Sequence, residues 1–223
     1  MEYSSFTQWI MENGVSKQML ELLVAITILS TIVSLARYIF GSKTYGIYAP
    51  IILAIAYSYT GLRYGLAVTG IVILTTLLSY SIIKKIRMHY ITRIAINYCL
   101  LSISLVIFFL LINKYSLGLD NMAQIPPLAV ISIAALSDFF IKQYVQKSLK
   151  SAIMPLGSTI IISTIGWYVV TREHVSVFML SNLWIVPLLI FVNLLIGQFK
   201  GLRIKDFLRF NSILSDTENV PKQ

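Results

Sequence analysis

Charged side chains inside an apolar sequence are the first places to look for chemistry, because hydrocarbon makes each of them expensive. Asp138, in LSDFFIK at 136–142, is the leading candidate. One reading pairs it with Lys142, four residues on and one helical turn away. The other makes it an ion or proton site, or a polar knot between helices. Arg63, in TGLRYG at 60–65, could hold an anionic group or simply face water from a turn. Glu21 and Arg37 bracket one apolar stretch near its two ends, where long side chains reach the headgroup level by snorkelling.

Nothing else assembles into a reaction centre. The sequence has no nucleophile elbow, no HExxH pair and no phosphate-binding glycine loop. Cys99 is the single cysteine and lies in an apolar block, so no disulfide framework can form. His89 and His174 are far apart, which makes a zinc site a poor expectation. The residues therefore point away from an enzyme and call for no cofactor or metal.

The elements that must carry these residues are membrane spans. The chain has 223 residues, 57% hydrophobic and only 12% charged, where a soluble domain carries roughly 25% charge. Mean hydropathy is +0.79, and the apolar residues come in long blocks rather than in amphipathic stripes. Ser34 and Ala36 mimic a signal-cleavage pair, but Glu2 and Glu12 against Lys17 are the wrong charge for a signal peptide. The class is all-α, a polytopic integral membrane protein.

A first span reads at 19–39. Residues 47–83 are apolar throughout and would run about 55 Å as one helix, against a hydrocarbon core of about 30 Å. They must fold back, and TGLRYG, with Gly61 and Gly65 flanking Arg63, is the place. That makes a short span at 47–61 and a second at 65–83, a bent pair. Further spans read at 94–113, 125–141, 152–170 and 177–197, seven in all. The fifth opens at Pro126-Pro127, where a first helical turn tolerates proline. An alternative makes 47–61 re-entrant, with six crossings and both ends inside.

Charge orients the bundle. Of the 18 Lys and Arg, 4 fall in the N-terminal segment and alternate loops, and 14 in the other loops and the C-terminal tail. The positive-inside rule then places the N-terminus outside and the C-terminus in the cytoplasm of a cell (inner) membrane. The segments are an external 1–18, a membrane domain at 19–197, a basic interfacial helix at 198–214 and a polar, disordered tail at 215–223. In the interfacial helix Lys200, Arg203 and Arg209 alternate with Leu202, Phe207 and Phe210. That pattern suits anionic lipid or a docked cytoplasmic partner. The net charge of +9 is what such an inner surface already requires, so nucleic acid is not an expected partner. No period of 20–50 residues signals a solenoid.

Two stretches carry a resemblance: GSKTYGIYAPIILAIAYSYTGLRYG at 41–65 and GQFKGLRIKDFLRF at 197–210. The chain resembles the seven-helix membrane domains usually fused to an inactive transglutaminase-like domain, a family similar to a membrane component of the poly-gamma-glutamate capsule synthesis machinery. Gly41, Thr44, Tyr45, Gly46 and Pro50 match the run that opens the family's second helix. Gly197, Gly201, Arg203, Arg209 and Phe210 match its closing run, and Arg93 falls where the family has an arginine entering the fourth helix. Two positions depart: the family's acidic-basic pair is Ser137-Asp138 here, and the arginine after Gly197 is Gln198. The fused domain is not expected within these 223 residues. The resemblance implies a non-enzymatic membrane component working beside a cytoplasmic ATP-grasp amino-acid ligase on a peptide-like or poly-amino-acid product. A stand-alone small transporter using Asp138 is the other reading, because discontinuous helices such as the bent pair often build transport sites.

Overall fold

A computed structural model describes residues 4–84, 86, 88–115, 126–146 and 149–198. These form ten helices: α1 Ser5–Glu12, α2 Lys17–Tyr38, α3 Tyr48–Thr60, α4 Leu62–Ile83, α5 Tyr90–Tyr115, α6 Pro127–Ala134, α7 Leu136–Gln146, α8 Leu149–Val170, α9 Glu173–Ser181 and α10 Ile185–Gln198. The segments read as an interfacial helix and a polar tail lie outside the described residues.

The bundle is built for lipid. Large aliphatic side chains such as Leu74, Leu78, Ile82, Ile107, Leu110 and Leu194 are exposed on its outside. Thr31, Thr69, Thr76, Asn97, Thr159 and Ser163 are buried within it. A soluble protein would reverse this arrangement, whereas in hydrocarbon interior hydroxyls and amides hold helices together. Five helical stretches (α2, α4, α5, α6 with α7, and α8) are long and apolar enough to cross a membrane. The α9–α10 pair is bent by 103° and counts as a sixth if taken as one span.

The first, third, fourth and sixth predicted spans correspond to α2, α4, α5 and α8. The other three differ in form. The seventh span, read as one helix over 177–197, is broken at Asn182, where the backbone leaves the helical region at φ −131° and ψ 62°. Asn182 turns its side-chain amide back to the Phe178 carbonyl (3.0 Å), a local bond that competes with helix continuation. The fifth span is interrupted for one residue at Ala135 and runs on to Gln146. The N-terminal segment, read only as polar, contains α1, which Ser4 caps by accepting from the Thr7 amide.

The second span is the short one. At 13 residues, α3 measures about 20 Å, less than a bilayer core of about 30 Å. It survives because it sits in the middle of the protein, packed by α2, α4, α6 and α8, with Ala49, Leu53, Ala54, Ala56 and Tyr57 all buried. A helix apolar on every side belongs in such an interior. Its alanines let neighbouring backbones come close.

The α3–α4 fold-back is tighter than the sequence suggested, since one residue, Gly61, makes it. Its φ of 77° and ψ of 149° lie in a region essentially reserved for glycine. Arg63 therefore sits in the first turn of α4 rather than in a loop. Gly65 then lets Tyr57 lie against the α4 backbone: a β-carbon there would meet the Tyr57 ring at 2.3 Å. Past that point the Tyr57 hydroxyl reaches Thr69 Oγ1 at 2.9 Å.

Candidate functional site

Two features place polar chemistry inside the bundle. The first is the way the chain enters α3. Residues 39–47 are not helical, yet Tyr45 is buried. Its backbone N–H donates to Thr159 Oγ1 at 3.2 Å, and its hydroxyl donates to the Ala152 carbonyl. Thr159 lies ten residues into α8, about 15 Å along the helix. Irregular backbone thus reaches the middle of α8, and backbone placed among spanning helices must find partners within the protein.

Helix α8, which contains Pro155, supplies them from a side-chain hydroxyl and a backbone carbonyl. Thr159 Oγ1 donates back to the Pro155 carbonyl (2.7 Å) while accepting from Tyr45. Ser163 Oγ reaches the Pro50 carbonyl at 3.0 Å. Gly41 and Gly46, with φ of 71° and 69°, give the inlet its turns, and Thr44 Oγ1 closes it on the Gly46 carbonyl at 2.8 Å. Thr159→Val keeps the shape but strands a buried amide, at a cost of about 1–3 kcal/mol. Thermal unfolding in detergent is expected to fall accordingly, whereas Thr164→Val, whose hydroxyl bonds only its own helix, should change little.

The second feature is a polar cluster between α5 and α7. Asn97, fully buried, donates to Ser137 Oγ at 3.2 Å. One residue along each helix, the Tyr98 hydroxyl donates to Asp138 Oδ2 at 3.0 Å. Asp138 occupies the first turn of α7, opened by the Ala135 interruption, and its own amide donates to the Ala135 carbonyl at 3.2 Å. Four buried side-chain atoms lack a hydrogen-bond partner among the described residues: Asn97 Oδ1, Asp138 Oδ1, Arg93 Nε and Ser79 Oγ. Arg93 lies one turn before Asn97, and among the described residues its guanidinium donates to the Ile86 carbonyl, at 3.4 Å.

The pairing of Asp138 with Lys142 is not formed. Among the described residues the ion pair found is Lys17–Glu21, at 3.7 Å, and Lys142 is exposed. Tyr98, on a neighbouring helix, is the partner instead. The structure brings Asp138 onto the same helix pair as Arg93. It does not bring Arg63 there: that residue is exposed at the other end of α4, about 25 Å of helix from Ser79. Lys200, Arg203, Arg209, Gly201 and Phe210 lie outside the described residues, and Gly197 sits in open space near the end of α10.

The family model for 7 transmembrane helices usually fused to an inactive transglutaminase matches residues 2–214. The chain belongs to that family. No curated protein and no solved structure matches it. In this seven-helix domain the residues of the first stretch that carried the resemblance form the inlet and the fold-back: Gly41, Thr44, Tyr45, Gly46 and Pro50 at the α3–α8 junction, Gly61 and Gly65 between α3 and α4. Attention to charge alone missed Asn97, Tyr98 and Thr159. Asn97 and Asn193 were visible as amides within apolar blocks, and Asn193 does bridge α10 to α2 through Thr31 Oγ1 at 2.8 Å. Thr159 gave no such signal, because interior hydroxyls are common in spans.

Proposed function

We propose that this chain is a non-enzymatic component of a cell (inner) membrane. It works with a cytoplasmic ATP-grasp amino-acid ligase and hands a peptide-like or poly-amino-acid product across the bilayer. The N-terminus lies outside, and the Asp138 cluster faces the cytoplasm. The observation that supports the reading most is the inlet at residues 39–47: non-helical backbone held against the middle of α8 ahead of the shortened α3. Broken helices of this kind provide polar backbone where a solute has to be handled within a membrane. The class of the partner comes from the family resemblance, and the docking surface from the basic tail.

Affinity purification of the tagged protein from its native cell in mild detergent tests the assembly. A stoichiometric ligase is expected in the eluate. The double substitution Arg203→Ala and Arg209→Ala should release it at least tenfold while thermal unfolding of the spans is unchanged. A solitary protein, or undiminished capture by the double variant, overturns the assembly.

A second reading has its own observation. Asp138 has a buried oxygen without a partner and no ion pair among the described residues, which suits the coupling residue of a stand-alone transporter.

A further inference from the structure

On the face of the bundle where α2 begins there is a cleft of about 370 Å³ between α2, α3, α8 and α9. It is separate from the Asp138 cluster and from the inlet, and its size falls within the range of small-molecule sites. Its lining changes along its depth. Its polar lining comes from Gln18 and Glu21 near the start of α2, Ser58 and Tyr59 near the end of α3, Thr171 just past α8 and Ser176 on α9. Val24, Ala25, Ile28 and Ile55 lie further in. From Gln18 to Ile28 the wall runs about 15 Å.

The polar rim has a definite hydrogen-bonding character. Ser58 Oγ donates its proton to the Ala54 carbonyl at 3.1 Å, and Thr171 Oγ1 donates to the Trp167 carbonyl at 2.7 Å. Both hydroxyls are left with lone pairs to offer. The Glu21 carboxylate only accepts and is the charged group among the residues that line the cleft. It already receives one ammonium, that of Lys17, at 3.7 Å. Both of those side chains are substantially exposed, and such a pair is worth little, so an incoming cation can replace it. The far wall is steady: the Thr7 hydroxyl of α1 donates to the Leu180 carbonyl at the end of α9, and Thr7 is fully buried.

We propose that this cleft is a binding site for an amphiphile bearing a primary ammonium, its apolar body between α2 and α3 and its head on Glu21. An acceptor-rich anionic mouth selects a donor-rich cationic head, and the aliphatic depth selects the tail. Two sources share this chemistry, an ethanolamine-headed lipid and a soluble amphiphilic amine.

Calorimetric titration of the full chain in maltoside micelles with octylamine, and with octanol as the uncharged match, tests the site. Octylamine is expected to bind saturably and at least tenfold more tightly than octanol. Glu21→Gln should weaken octylamine at least tenfold and leave octanol unchanged, and the retained octanol binding shows that the cleft is still formed. Repeating the titration in nanodiscs distinguishes the sources. If phosphatidylethanolamine in place of phosphatidylcholine suppresses octylamine binding, the occupant is the lipid; if it does not, the site serves a soluble amine. Equal affinity for octylamine and octanol, or full octylamine affinity in Glu21→Gln, overturns the assignment.

Discussion

Gly65→Ala is expected to cost the folded protein about 3 kcal/mol, the upper part of the usual range for overpacking. The new methyl would lie 2.3 Å from Tyr57 Cδ1 and 2.8 Å from Thr60 Oγ1. Neither neighbour can yield easily. The Tyr57 ring is fully buried, and its hydroxyl is tied to Thr69, which in turn donates to the Gly65 carbonyl at 2.7 Å. Thr60 donates to the Ala56 carbonyl at 3.0 Å. The hairpin would have to splay, and with it the central helix α3. A double-mutant cycle with Tyr57→Leu identifies the cause. If the ring against Gly65 is responsible, the second substitution recovers at least about 1 kcal/mol of the loss. Strictly additive costs in thermal or denaturant unfolding would place the strain elsewhere.

If the chain is a stand-alone transporter coupled through Asp138, Asp138→Asn is expected to lower transport by the reconstituted protein tenfold or more, with no loss of thermal stability. The side chains are nearly the same size, and an amide oxygen can keep the Tyr98 hydroxyl as donor (3.0 Å in the native chain). What disappears is the charge. Among the described residues that carboxylate has no counter-ion, which leaves it open to a proton or a cation from outside the bundle, and the amide needs neither. Uptake of labelled amino-acid oligomers into proteoliposomes reads the effect. Undiminished uptake with an unchanged or raised midpoint would make Asp138 a structural acid, and the transporter reading would fall. Asp138→Glu is the check on charge against shape, and partial activity is expected from it.

How far the sequence could be read depended on which force decided each feature. Hydropathy blocks set the spans, so α2, α4, α5 and α8 were legible from composition alone. The glycine run at 61–65 announced a fold-back, but only a backbone at φ 77° shows that Gly61 suffices. The break at Asn182 was hidden, because an asparagine within an apolar block does not say whether its amide will bond its own backbone or a neighbour. Asn193 in the next helix does both. Asp138 stood out for its charge, yet its partner did not: i,i+4 spacing pointed to Lys142, while the bond went to Tyr98, forty residues away. Pairings across helices are set by packing, which a single sequence does not display. The cleft beside α2 was invisible for the same reason, being made from four helices that meet only in the folded bundle.

The inlet at residues 39–47 also imposes an order on biogenesis. The groups that satisfy Tyr45, on Ala152 and Thr159, are synthesised 107 and 114 residues later. At roughly 5–20 residues per second, the ribosome takes about 5–20 s to supply them. During that interval α3, too short to hold a bilayer position alone, enters as one hairpin with α4, hinged at Gly61. Its leading end waits at a wet boundary until α8 arrives. Completion of α8 is therefore the step that draws the inlet down to depth, and chains truncated before it should remain open to labelling at Tyr45.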